Sequence, residues 1–199
     1  MRLVFVLSIF IIRAVTRGDA AEAETKPSRS PNASGQTLGS SPALRDELAA
    51  MVKPDQATRQ KRPSEMTKSD FDLMLKTDAA HEQRMREIIA QFGWPGRSLV
   101  GAEGSVNAWL LVQHCGLPFQ EQCLPLLEQA VAKGDASAAN YAYLLDRVRM
   151  FEGKPQVYGT QFMNGKLYTL EDPTHVDERR KSVGLGPEAE YEKKLRDLQ

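Results

Sequence analysis

From Leu44 onward, apolar residues recur at helical spacing over most of the chain, and Gly, Pro and polar clusters punctuate them. Ser41-Pro42 offers a capping hydroxyl followed by proline at the first helical position. Leu44, Leu48, Met51 and Val52 then predict one helical face, which Pro54 kinks or stops. Lys53 to Lys68 is polar and reads as loop, with Asp55-Gln56-Ala57-Thr58-Arg59 as an alternative continuation of a kinked helix. Asp78 to Phe92 carries the clearest amphipathic pattern. His81, Met85, Ile88, Ile89 and Phe92 share its apolar face, and Gly93 followed by Trp94-Pro95 predicts a left-handed cap.

The next segment, about Ser105 to Cys115, is apolar nearly all round and is expected at the centre of the core. Gln113 lies on it beneath Val106, Trp109 and Leu110, so it should point inward. After the turn Gly116-Leu117-Pro118, a stripe from Phe119 to Val131 predicts another helix, kinked at Pro125 and ended by Gly134. Asp135 is expected to cap a further helix that runs to about Phe151.

There the period changes. Asn164-Gly165 is a strong hairpin signal, and a two-residue turn there pairs Phe162 with Leu167, Gln161 with Tyr168 and Thr160 with Thr169. Extended as a strand, the segment places Gln156, Tyr158, Thr160 and Phe162 on one face and Val157, Gly159 and Gln161 on the other. Asp172-Pro173 restarts a short helix to Val183, and Pro187 opens a last one. The expected fold class is therefore mainly α: a compact antiparallel helical array with one C-terminal β-hairpin at about 156–170, forming a single domain over 42–199.

The N-terminal residues follow another pattern. Arg2, the apolar run Leu3 to Ile12 and the small residues near Ala20 and Ala23 predict a signal peptide over 1–23 and hence export. The run is about half of the ~20 residues that a bilayer span needs, so no membrane span is expected. Residues 24–41, rich in Ala, Ser, Pro and Gly, read as a flexible linker. Lys plus Arg and Asp plus Glu each number 26, interspersed, so no basic face for nucleic acid stands out.

The candidate chemistry lies where polar residues interrupt apolar runs, because a buried polar group needs a partner or a ligand. Gln113-His114 ends one such run, and Asp146-Arg147 ends another. His114 is the candidate acid or base, Asp146 its orienting group, and Arg147 an anion holder or a brace for a neighbouring loop. Gln156, Tyr158, Thr160 and Gln161 are either a ligand wall or a strand bonded to the helices. Gly159 among them admits the close approach of a ligand, a helix or a bulged strand. Asp55, Gln56 and Arg59 read either as a surface helix turn or as cover for the region of His114. Cys115 and Cys123 flank one turn and are open to a disulfide or to two buried thiols. Their spacing with His114 matches no zinc pattern, so no metal site is expected, and with no phosphate loop or dinucleotide fingerprint in the chain no cofactor is expected.

The residues Gly93-Trp94-Pro95, Val100-Gly101, Gln113-His114, Asp146-Arg147 and Gln156 to Gln161 resemble the domain-of-unknown-function 6624 family. The resemblance covers about 43–191 and includes Asp55-Gln56, Arg59 and Asp177 to Leu185. Cys115, Pro54 and Pro125 depart from its pattern. It implies no activity and assigns no residue a role. The residues themselves leave three functions open: a binding module for a small polar ligand or a peptide, a hydrolase- or transferase-type enzyme working through His114, and a purely structural polar network.

Overall fold

A computed structural model describes residues 39–196. The signal peptide and nearly all of the linker expected from the sequence lie outside these residues. The described chain is mainly helical, with seven α-helices and one two-stranded hairpin, and it divides into two compact units, 39–140 and 141–196.

The first unit is all helical. Helix α1 (Pro42–Ala57) opens on proline as expected, but it passes through Pro54 and ends at Thr58. Its last turn survives because Thr58 and Arg59 donate to the backbone carbonyl of Asp55 (Oγ1 at 2.8 Å, Nη1 at 3.0 Å), satisfying a helix end that would otherwise be bare. The stretch expected as loop therefore begins as helix.

Helix α2 (Lys68–Phe92) starts ten residues before the amphipathic pattern does. Thr67 and Asp70 form a reciprocal capping box, with the Asp70 amide donating to Thr67 and the Thr67 amide to Asp70. His81, Met85 and Ile88 are buried as expected, whereas Phe92 is exposed. Gly93 closes the helix at φ +72°.

Helix α3 (Arg97–Gln113) also begins earlier than expected and is broken at Gly101 (φ +76°, ψ 174°). Its first turn is held from outside. Ser98 donates its N–H and hydroxyl to Asp135 at 2.6 and 2.9 Å, and Arg97 N–H donates to the Asp135 carbonyl at 2.7 Å. Asp135 thus caps α3 and not the following helix, whose start is marked by Ser137 accepting from the Asn140 amide. Helix α4 (Leu117–Ala132) contains Pro125 within its span, and its first turn is met by Glu82, which accepts from the Gly116 amide at 2.7 Å. Helix α3 packs on α1, α2 and α4, which makes it the central element, and Trp109, Leu111, Val112 and Gln113 on it are buried.

Helix α5 (Ala138–Phe151) leads into the second unit. There β1 (Phe162–Met163) pairs antiparallel with β2 (Lys166–Leu167) in the expected register, Phe162 opposite Leu167. Asn164 and Gly165 both take positive φ (53° and 74°), which a two-residue type I′ turn requires. The strands are two residues long, however, and 156–161 is no strand: Gln156 makes only an isolated bridge to Leu170. Thr160 is not opposite Thr169, whose carbonyl is taken by the Gln156 amide at 2.9 Å. A 3-10 turn (Pro173–His175), α6 (Val176–Ser182) and α7 (Glu188–Arg196) complete this unit around Tyr143, Phe162 and Tyr191, whose rings meet edge to face.

Candidate functional site

Two buried polar clusters stand out, one in each unit. The first is centred on Asp55, which has no exposed surface at the end of α1. His114, the C-cap of α3, places ring Nδ1 2.8 and 3.1 Å from the two Asp55 carboxylate oxygens. A carboxylate facing that nitrogen accepts, so Nδ1 carries the proton and Nε2 is the basic atom of the neutral ring. Asp55 therefore occupies the orienting place that the sequence reading gave to Asp146. Gln56 donates to the other side of Asp55 at 2.8 Å. Arg59 reaches Asp55 Oδ1 through Nη1 at 3.0 Å and Asp78 Oδ1 through Nη2 at 2.5 Å, bridging two carboxylates. His81, three residues beyond Asp78 on α2, brings Nδ1 to 4.0 Å from Asp55 Oδ1.

The electrostatics divide these two carboxylates. Burial works to raise the Asp55 pKa, but the His114 hydrogen bond and the charges of His114 and Arg59 outweigh it and hold Asp55 below the usual Asp value. At Asp78 burial prevails over Arg59 and pushes the carboxyl up. Burial likewise pushes the His81 imidazole below its ordinary value, against the pull of Asp55, so this ring favours the neutral form. Two carboxylates on one guanidinium, driven in opposite directions, form an arrangement typical of proton-handling sites.

Gln113 is buried beside this region, and its carbonyl accepts from Gln120 Nε2 at 3.2 Å. Cys115 and Cys123 are both buried free thiols, each pushed up by burial, Cys123 to about 12. Among the described residues no group of three or more His, Cys, Asp or Glu is placed to hold a metal ion.

The second cluster surrounds Asp146, also without exposed surface. Its carboxylate accepts from the amides of Val157 (2.7 Å), Tyr158 (3.1 Å) and Thr160 (3.0 Å) and from the Thr160 hydroxyl (2.9 Å). Burial pushes its pKa up, opposed by these donors. The carbonyls of the same loop are taken from the other side. Arg179 donates to Val157 at 2.8 Å, Arg180 to Tyr158 and Gly159 at 2.9 and 3.3 Å, and the Tyr191 hydroxyl to Thr160 at 3.2 Å. Gln156 closes the loop upon itself, accepting from the Gln161 amide at 2.8 Å and donating to the Gln161 carbonyl at 3.1 Å. Gly159 takes φ +66°, and a Cβ there would meet Leu170 and Glu188 at 3.3 Å. What approaches Gly159 is thus the unit's own side chains.

The structure therefore brings Gln156, Thr160 and Gln161 together around Asp146. Arg147, on the next face of α5, lies with its guanidinium 5.3 Å from the Phe151 ring centroid, and Tyr158 contributes its amide and carbonyl to the loop. In the first unit it joins His114 to Asp55, Gln56 and Arg59. Asp78 and His81 were missed by the sequence reading. Their i, i+3 spacing on the buried face of α2 was the available signal, but Asp78 was read only as the start of a helix.

The family of unknown function (DUF6624) matches over residues 42–199. The chain belongs to that family. No curated protein and no solved structure matches it. Membership carries no activity with it. Among the described residues of this family member, no helix is long and apolar enough to cross a membrane.

Proposed function

We propose that this family member is exported, binds a small polar ligand at the Asp55–His114 centre, and exchanges a proton with it through His114. The observation that carries the reading is the 2.8 Å contact between His114 Nδ1 and Asp55. It fixes the tautomer that leaves Nε2 as acceptor, and it stabilises the imidazolium that forms when a proton is taken. Asp55, held ionised, is the orienting group. Arg59 fixes Asp55 and keeps Asp78 beside it. The reaction class is a hydrolase- or transferase-type step, in which His114 takes a proton from the attacking hydroxyl and returns it to the leaving group.

For the Asp146 cluster we favour the structural reading. The amides and carbonyls of its loop are met by Asp146, Arg179, Arg180 and Tyr191 from the flanking helices, and such a network specifies backbone geometry.

The test uses 4-nitrophenyl acetate and 4-nitrophenyl phosphate as probes, with the wild type and the His114→Gln and Asp55→Asn variants, and circular dichroism to check folding. A general base is worth about 10²–10⁴-fold, and loss of turnover on that scale in both folded variants supports the proposal. A folded His114→Gln chain that keeps wild-type turnover excludes proton exchange by His114. A wild type inert to both probes reduces the reading to ligand binding.

A further inference from the structure

The polar groups of the Asp55 cluster form a line of alternating charge. His114 Nδ1 stands 2.8 Å from Asp55 Oδ1, the same oxygen stands 3.0 Å from Arg59 Nη1, and Arg59 Nη2 stands 2.5 Å from Asp78 Oδ1. The side chains of Asp55, Arg59 and His114 are more than nine-tenths buried and Asp78 is half-buried, so water screens the line poorly. Within it, Arg59 and His114 compete for one carboxylate. A guanidinium on Asp55 Oδ1 offsets the charge that stabilises a protonated His114. Asp78 counters that effect by holding the far side of the same guanidinium. We propose that Asp78 is a positioning residue for the His114 reaction: acting through Arg59, it frees Asp55 to hold the imidazolium and so sets the pH at which the ring exchanges its proton. The inference rests on the Asp55–His114 centre being the functional one.

Stability does not account for the Asp78 charge. Burial pushes its carboxyl up against the pull of Arg59, so folding disfavours the ionised form. A group raised in this way contributes most below its ordinary value of 3.8, and the contribution is lost as pH rises through the folded value. At neutral pH the negative charge is therefore held at a cost, in contrast to Asp55, whose charge the fold favours. A neutral amide at this position would still accept from Arg59 Nη2. What an amide cannot supply is a negative charge within reach of the imidazolium, and the charge of His114 is one of the pulls on the Asp78 carboxyl. The other ionisable groups around this line do not supply it. His81 favours the neutral form, and the Cys115 and Cys123 thiols are pushed up and stay protonated. Glu82, one turn beyond Asp78 on α2, is turned to the Gly116 amide and to Arg86.

The experiment follows the three histidine rings of the full chain by long-range 1H–15N spectra over about pH 4 to 9, with His114 assigned by its loss in His114→Gln. Asp78→Asn should lower the His114 midpoint by about one unit, the effect of a full charge about 12 Å away at an effective dielectric of about 20. Asp78→Glu, which restores the charge, should bring the midpoint back. Coupling is reciprocal, so His114→Gln should raise the Asp78 carboxyl midpoint, read by 13C shifts, by a similar amount. A His114 midpoint that is unchanged or raised in folded Asp78→Asn overturns the proposal. Should that variant fail to fold, the carboxyl decides alone: an Asp78 midpoint unmoved by His114→Gln overturns the proposal equally.

Neither midpoint depends on turnover, so the two readings fail separately. A lowered His114 midpoint beside undiminished turnover in His114→Gln defeats proton exchange and not the coupling. Loss of turnover in His114→Gln with an unmoved His114 midpoint in Asp78→Asn defeats the role of Asp78 alone.

Discussion

Asp55 receives Gln56, Arg59 and His114 at hydrogen-bond distance and has no exposed surface. Such a residue tolerates its own neutralisation better than the removal of a cation beside it. Arg59→Met should be the more damaging change, because it leaves the buried Asp55 and the half-buried Asp78 without their shared guanidinium. Breaking a buried pair costs about 3–5 kcal/mol, and urea unfolding of the variant should read a loss of that size. His81 gives a pH prediction of definite sign. Its folded pKa lies below 6.5, so the unfolded chain binds a proton first as pH falls. Stability is fully present above about pH 6.5 and is lost below it until the folded pKa is reached, with a slope of at most about 1.4 kcal/mol per pH unit. The exposed His175 has the opposite sign: its pKa is raised by Asp172, so its contribution is present below 6.5 and lost as pH rises. Melting temperatures at pH 7.5 and 5.5 in a His175→Gln background should fall with pH, and adding His81→Gln should flatten that slope. An unchanged slope means that His81 does not titrate with folding.

At the scale of elements, the sequence was legible wherever a pattern is local. Periodicity located the cores of α2, α3 and α4, and Asn164-Gly165 located the hairpin and its register, because each signal lies within a few residues of what it specifies. Starts were misplaced when the cap was polar or distant. The Thr67–Asp70 box precedes the apolar stripe, and Asp135 caps α3 from 37 residues away. The segment 156–161 misled for another reason. Its alternating polar residues match a strand, yet between its ends the amides of Val157, Tyr158 and Thr160 bond to one carboxylate and the carbonyls of 157–160 to two arginines and a tyrosine. Side chains here do the work of a neighbouring strand, and no period reveals that. Asp146→Ala should accordingly cost several kcal/mol by leaving four donors unmatched. Hydrogen exchange should show lost protection at Val157, Tyr158 and Thr160 before the hairpin amide of Tyr168 opens. Equal protection in the variant contradicts the role given to Asp146.

Over the whole molecule, the mainly helical class was readable, but the pairing that makes a candidate site was not. Asp55 and His114 are 59 residues apart, and nothing in the spacing of either announces the other. Each was noticed for a local reason, one as part of a polar helix turn and one as the end of an apolar run. Charge is the property that composition does fix at this scale. With 26 basic and 26 acidic side chains the chain has no net charge to attract phosphate backbones. In the described part, the arginines nearest the buried clusters are already engaged: Arg59 by two carboxylates, Arg179 and Arg180 by loop carbonyls. Nucleic-acid affinity arises chiefly from counterions released when free cations meet phosphates, and it falls steeply with salt. A chain of this balance should give no polarisation change with a fluorescent DNA duplex at about 150 mM salt, nor a linear dependence of log affinity on log salt below it. Measurable binding with such a slope would mean that a basic surface exists which neither composition nor these clusters reveal, and its arginines would then replace the Asp55 centre as the first place to seek function.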